Sequence, residues 1–213
     1  MRVLILGGSG RIGGLALERS LAGGHEVVAL VRDARSIAMA AGLVVVVGDI
    51  RDPSALRKAL RGAQAVIAAV GPRSNTSADA LALEQGMSNL VTAMSAEGVA
   101  RLVALSGAAV DVPGDRKPLF DRVASKVVRR LARHVVGAKQ REFEVFAASP
   151  LEWTGLRPPL VADGAAKGYR LDLQLTPGAR VTRADVAAAL VDQLADRSFL
   201  RAAPFVLPPV VVR

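Results

Sequence analysis

Arg2-Val3-Leu4-Ile5-Leu6-Gly7-Gly8-Ser9-Gly10-Arg11-Ile12-Gly13 opens the chain with an apolar run followed at once by glycines three residues apart. Four bulky residues in succession, Val3 to Leu6, read as a strand buried on both faces. The glycines permit a tight turn and close backbone approach, and residues 12–22 read as a helix. Strand, glycine turn and helix in that order predict a site where a dinucleotide pyrophosphate rests on the helix N-terminus. In this reading Gly7 turns the chain, Gly10 lets backbone N–H groups face phosphate oxygens, and Gly13 lets the helix pack closely on the sheet. Ser9, Arg11 and Ile12 share the turn and join the cofactor-binding candidates. Glycine supplies 20 of 213 residues, so the pattern draws its weight from this context rather than from spacing alone.

Working outward, further apolar runs alternate with helical segments. Strands are expected at 26–31, 43–47, 65–70, 101–105 and 152–156, with 205–207 as a final sheet strand. A short helix is expected over 34–41. Asp52-Pro53 looks like an N-cap with proline at the first helical position, opening a helix to Leu60. Thr76 or Ser77 caps a long helix to about Glu97, whose Leu83, Met87, Leu90, Val91 and Met94 form an apolar stripe for the core. A helical stretch covers much of 120–148, with Gly137 as an expected interruption. Residues 169–175 alternate polar and apolar, suggesting a half-exposed strand outside the main sheet. Thr182 and Asp185 cap a last helix to about Leu194. The pattern predicts an α/β fold: a doubly wound, mostly parallel, Rossmann-like sheet of about seven strands in three layers. One domain over 1–213 is expected, with acceptor-site loops after 71, 107 and 159.

Composition agrees with such a fold. Hydrophobic residues make up 51% and aromatics only 3%, so Val, Leu, Ile and Ala must build the core. Zero cysteines exclude disulfides, thiolate catalysis and the usual zinc or iron–sulfur sites. His25 and His134 are too few and too far apart in sequence to suggest a metal centre. No stretch is long and apolar enough to span a bilayer, and no basic leader with a cleavable apolar segment opens the chain, so cytoplasmic residence is expected. The formal net charge is +9, and nine basic residues fall between Arg116 and Arg141. This run reads as a solvated helical face rather than a nucleic-acid surface, since no nucleic-acid module accompanies it. Attraction of an anionic cofactor is a further use for the charge.

In a doubly wound sheet, ligands bind outside the carboxyl ends of the strands. Arg32 ends the second strand, where the adenosine ribose is read. With Arg11 it fits a 2′-phosphate, which favours NADP over NAD; Asp33 is the alternative, a ribose acid for NAD. Asp49 and Ile50 close the third strand, where a carboxylate can accept the adenine amino group and an aliphatic chain can cover the ring. Ala69, Val70 and Gly71 close the fourth, small enough for a dinucleotide to run near the backbone. Arg73 follows them and could reach phosphate or an acidic substrate. Ser106 ends the fifth strand at the expected nicotinamide position; its hydroxyl either donates to a substrate carbonyl or satisfies local backbone. Pro158 and Pro159 follow the sixth strand and could shape the nicotinamide pocket.

Several segments together resemble the atypical short-chain dehydrogenase/reductase group that contains the NmrA-like proteins, with the biliverdin reductase B type of NADPH-dependent flavin reductase as the nearest branch. They are Gly7 to Gly13, Ala29-Leu30-Val31-Arg32-Asp33, Val45-Val46-Val47-Gly48-Asp49-Ile50, Gly62-Ala63-Gln64-Ala65-Val66-Ile67, Gly86, Asn89-Leu90-Val91, Gly98-Val99, Leu156-Arg157-Pro158-Pro159 and Val181-Thr182-Arg183-Ala184-Asp185-Val186. The resemblance implies one NADP-binding domain that passes hydride from nicotinamide to a flat acceptor such as a flavin, quinone or tetrapyrrole. It implies that Gly7, Gly10 and Gly13 hold pyrophosphate, Arg32 the 2′-phosphate and Asp49-Ile50 the adenine, with Ala69 to Gly71 and Ser106 at the nicotinamide end.

The chain also departs from the group. Val135 stands four residues before Lys139, so the tyrosine–lysine pair of ordinary short-chain dehydrogenases is missing, and Tyr169 is the sole tyrosine. Gly107 replaces a second hydroxyl residue after Ser106, and Leu160 stands where the flavin reductases have a histidine. Reduction of a flavin-like acceptor suits this set, because reduced flavin takes its proton from solvent. The alternative is an NmrA-like regulatory or redox-sensing protein that binds the dinucleotide without turnover. The expected partners are a small planar acceptor and neither membrane nor nucleic acid, in a monomer or weak homodimer.

Overall fold

In the computed structural model, which describes residues 1–72, 74–113, 115 and 133–210, β1 (Arg2–Leu6) is central and buried on both faces. Its side chains alternate between two cores: Leu4 and Leu6 enter one, Val3 and Ile5 the other. Strands β2 (Glu26–Val31), β3 (Leu43–Val47), β4 (Ala65–Ala68), β5 (Arg101–Leu105) and β6 (Glu152–Leu156) complete a six-stranded sheet. Its order is β3-β2-β1-β4-β5-β6, and every neighbouring pair is parallel. The order reverses between β1 and β4, which opens a crevice at their carboxyl ends.

Helices cover both faces. On one lie α2 (Pro53–Leu60), α3 (Ser77–Ala96) and α4 (Arg133–Ala147), whose Leu56, Leu60, Met87, Leu90, Met94, Phe143 and Phe146 meet Leu4, Val66 and Leu102. On the other, α1 (Arg11–Ala22) and α5 (Arg183–Asp192) bring Leu17, Val186 and Leu190 against Val3, Ile67 and Val103. Three of the seven aromatics gather at one place: Phe143, Phe146 and Trp153 pack edge-on or tilted with centroids 5.3–5.7 Å apart. Local signals act as read. Asp52 accepts from Ser54 N–H ahead of Pro53, Thr76 accepts from Asp79 N–H, and Thr182 and Asp185 form a reciprocal capping box.

The expected seventh strand is corrected. Residues 202–206 run parallel beside β6 through isolated bridges only, with Gly155 and Arg157 donating to Ala202 and Pro204 carbonyls. The intervening ladder bond would need the N–H of position 204, and proline has none. Instead β10 (Phe205–Leu207) pairs antiparallel with β8 (Arg170–Asp172), the half-exposed strand expected outside the sheet, though it is shorter. A second small ladder, β7 (Leu160–Ala162) with β9 (Arg180–Thr182), is parallel and was not anticipated.

The helix expected over 34–41 is only a 3-10 turn, Ala34–Ser36. It is capped by Asp33, which accepts the Arg35 N–H, but it buries no residue, so no packing rewards further helix. Gly137 does not interrupt α4, because packing of Val136, Ala138 and Phe143 outweighs a glycine cost of about 1 kcal/mol. Most of the basic run, residues 116–132, lies outside the described residues. Among the described residues no helix is long and apolar enough to cross a membrane.

Candidate functional site

The glycine turn is shaped by what a side chain would strike. Gly7 has φ +83, and a Cβ there would collide with the carbonyl of Ala69 at the end of β4. A Cβ on Gly13 would collide with the Gly7 carbonyl, so this glycine lets the start of α1 sit on the turn. Gly10 N–H donates to Gly7 O at 2.8 Å, and Gly10 is the N-cap of α1 without any side-chain cap. The first N–H groups of α1 therefore remain available for an anion, which is the fit a dinucleotide pyrophosphate requires.

Beside the turn is a cavity of about 330 Å³ along the carboxyl ends of β1 to β4. It gathers Gly7, Ser9 and Gly10 with Arg32, Asp49, Ile50, Ala69, Val70 and Gly71, residues that the sequence reading took from four separate strand ends. Gly86 of α3 makes room for Ile50, since a Cβ there would press on the Ile50 side chain. Arg51, which the sequence reading missed, also lines this cavity. Its guanidinium grips Asp49 at 2.8 and 3.1 Å, and that bond, against a smaller opposing effect of burial, holds the Asp49 carboxyl below its usual range. Asp33 lines neither this cavity nor the next; its carboxylate is taken up by the backbone N–H and guanidinium of Arg35.

A second cavity, about 350 Å³, continues from the first through Gly10, Ala69, Val70 and Gly71. It adds Arg11, Ile12, Gly13, Leu105, Ser106, Lys139, Val161 and Arg183. Arg11 lines this second cavity, whereas Arg32 lines the first. Ser106 is 9% exposed, and its Oγ has no hydrogen-bond partner among the described residues. A buried hydroxyl without a partner is costly, and it marks a place for a ligand atom. Pro158 lines neither cavity. It is buried and its carbonyl accepts the Ala108 N–H at 3.3 Å, which ties down the loop after Gly107. Arg73 lies outside the described residues.

Lys139 is the second residue whose part the sequence reading understated. Its Nζ donates to Val70 O at 2.6 Å and Leu105 O at 2.7 Å, and pairs with Glu142 Oε2 at 2.6 Å. Two of the three ammonium hydrogens go to these carbonyls, and the contact with Glu142 is an ion pair whose carboxylate oxygens meet no hydrogen-bond geometry. Lys139 thus joins the carboxyl ends of the neighbouring strands β4 and β5. Burial raises the Glu142 carboxyl above its ordinary value, with Lys139 acting against the rise. Tyr169 lies elsewhere, donating from its hydroxyl to Asp192 at 2.7 Å. Burial first and the Asp192 bond second push its phenol upward, away from service as a base. Among the described residues no His, Asp or Glu cluster could hold a metal ion.

Comparison with known proteins agrees with this geometry. A family model described as NAD(P)H-binding matches residues 7–197. The photosystem II assembly factor Ycf39 of Synechocystis sp. is 36% identical over 112 residues, which is 50% of this chain and 33% of that protein. The chain therefore spans about a third of the length of this curated relative. Among solved structures, ChuY, an anaerobillin reductase from Escherichia coli O157:H7, superposes with a TM-score of 0.81 at 22% identity over 100% of both chains. A short-chain dehydrogenase/reductase from Veillonella parvula in complex with NADP gives 0.76 at 22% identity, covering 98% of this chain and 94% of the other. At these identities the structures establish the fold.

Proposed function

The chain belongs to the NAD(P)H-binding family, and from that premise we propose that it is an NADPH-dependent reductase of a flavin or similar planar acceptor. The observation that carries the reading is the continuity of the two cavities. A dinucleotide laid along the strand ends would place its adenosine at Arg32, Asp49 and Ile50 and its nicotinamide at Ser106. Arg32 in the first cavity, with Asp33 turned to Arg35, favours the 2′-phosphate of NADP. The similar fold in complex with NADP and the similar fold named an anaerobillin reductase support the choice of cofactor and of a flat acceptor.

When bound, reduced nicotinamide supplies a hydride, and the sum NADPH + H⁺ + flavin → NADP⁺ + dihydroflavin takes its proton from solvent. The protein's share is alignment. The backbone at Ala69, Val70 and Gly71 gives a close-approach floor, Lys139 fixes the β4 and β5 ends that border it, and Ser106 offers one hydroxyl to orient the acceptor.

A second reading is a dinucleotide-binding regulatory protein without turnover. It draws on the relative named an assembly factor and on the missing tyrosine partner of Lys139. Steady-state NADPH oxidation with riboflavin, FMN and quinones separates the two. Saturable, acceptor-dependent turnover is expected; tight NADPH binding with no turnover on any acceptor would leave the regulatory reading.

A further inference from the structure

Two arginines flank the second cavity from helices that pack side by side. Arg11 is the first residue of α1 and Arg183 the first of α5, and both line the cavity with Ser106. Lys139 is turned to the Val70 and Leu105 carbonyls and to Glu142. Arg11 is exposed and has no ion-pair partner among the described residues. Arg183 is largely buried, at 16% exposure, and pairs with Asp163, whose side chain is 84% exposed. A pair whose acidic member is in solvent contributes little and exchanges readily for another anion. The walls between these charges are apolar, formed by Ile12, Leu105 and Val161. The buried Ser106 hydroxyl, unpartnered in the same cavity, is the independent sign that a ligand completes the place.

We propose, granting the reductase reading above, that the acceptor is a planar conjugated molecule carrying an anionic arm, and that Arg183 and Arg11 hold the arm. The ring lies against Leu105 and Val161 near Ser106, while the phosphate or carboxylate displaces Asp163 from Arg183. A guanidinium fork matches either anion with two parallel hydrogen bonds. Asp163 acts as an internal competitor that keeps the arginine oriented until the acceptor arrives.

The test is equilibrium binding to the full chain saturated with NADP⁺. FMN is compared with riboflavin by quenching of flavin fluorescence, and biliverdin with its dimethyl ester by absorbance. The charged member of at least one pair is expected to bind roughly tenfold tighter, and the pair that shows it identifies phosphate or carboxylate as the arm. Arg183→Gln should abolish that difference and leave NADP⁺ affinity unchanged. Asp163→Ala, which removes only the competitor, should strengthen binding of the charged ligand. Equal binding within both pairs, or an Arg183→Gln effect confined to NADP⁺, overturns the proposal. Turnover is read separately. Discrimination without NADPH oxidation would remove the reductase reading and leave the anion site; equal turnover of charged and neutral acceptors would do the reverse.

Discussion

The Nζ of Lys139 lies 2.6 Å from Oε2 of Glu142, a side chain only 1% exposed, and this pair sits at the carboxyl ends of β4 and β5. Taking both charges out of water is costly, so the pair stabilises the fold only while both members are present. Its position gives it a second effect, because the same ammonium sets the spacing of the Val70 and Leu105 carbonyls.

Lys139→Met should therefore cost about 3–5 kcal/mol in chemical denaturation, and Lys139→Met with Glu142→Leu should recover most of it. Additive losses in the double variant would show that the two do not act as a pair.

The pH dependence has a defined sign. Burial holds the Glu142 carboxyl above its ordinary 4.5 in the folded chain, so the folded state binds this proton more tightly than the unfolded one. The group's contribution is complete below about pH 4.5 and is lost as pH rises through the folded value. Without the opposing ammonium the rise is larger. The stability deficit of Lys139→Met should thus be greatest above neutrality and smallest in mildly acidic buffer, and a pH-independent deficit would contradict the assignment.

Gly13→Ala places a methyl group against the Gly7 carbonyl, a backbone atom that cannot swing aside. A stability loss of about 1–3 kcal/mol and loss of NADP⁺ binding are expected by denaturation and calorimetry. Gly24→Ala is no silent control, since Gly24 has φ +76, but it meets no atom and should spare binding.

Ser106→Ala removes a hydroxyl that has no hydrogen-bond partner among the described residues, so thermal stability should change by less than about 0.5 kcal/mol. Acceptor kcat/KM should fall about tenfold, the loss of one hydrogen bond in the transition state, with NADPH affinity unchanged. A large destabilisation would mean that the hydroxyl serves the fold instead.

Arg32→Ala should weaken NADPH by about 10–100-fold and NADH by less than roughly threefold, measured by fluorescence titration. Equal losses would show that Arg32 does not read the 2′-phosphate.

The first strand and its glycine turn were legible because they depend on local necessity. A four-residue apolar run needs burial on both faces, and Gly7 and Gly13 occupy places where a methyl group would strike backbone. The gathering of Arg32, Asp49 and Gly71 followed from strand ends sharing one edge. Lys139 was read only for its missing tyrosine, since its partners at Val70 and Leu105 are backbone carbonyls that no side-chain pattern reveals; Glu142 three residues on was the available signal. The missing ladder bond at Pro204 was readable in principle, but only once the register against β6 was known. Strands β7 and β9, three residues each, are too short to carry a period.

The central claim is that the cleft aligns NADPH with an acceptor for direct hydride transfer. Rapid anaerobic mixing of the NADPH-bound protein with FMN or biliverdin tests it most directly. Acceptor reduction and NADPH oxidation should proceed together, at equal stoichiometry and with a rate that saturates in acceptor. Tight NADPH binding with acceptor reduction no faster than in protein-free buffer would contradict it.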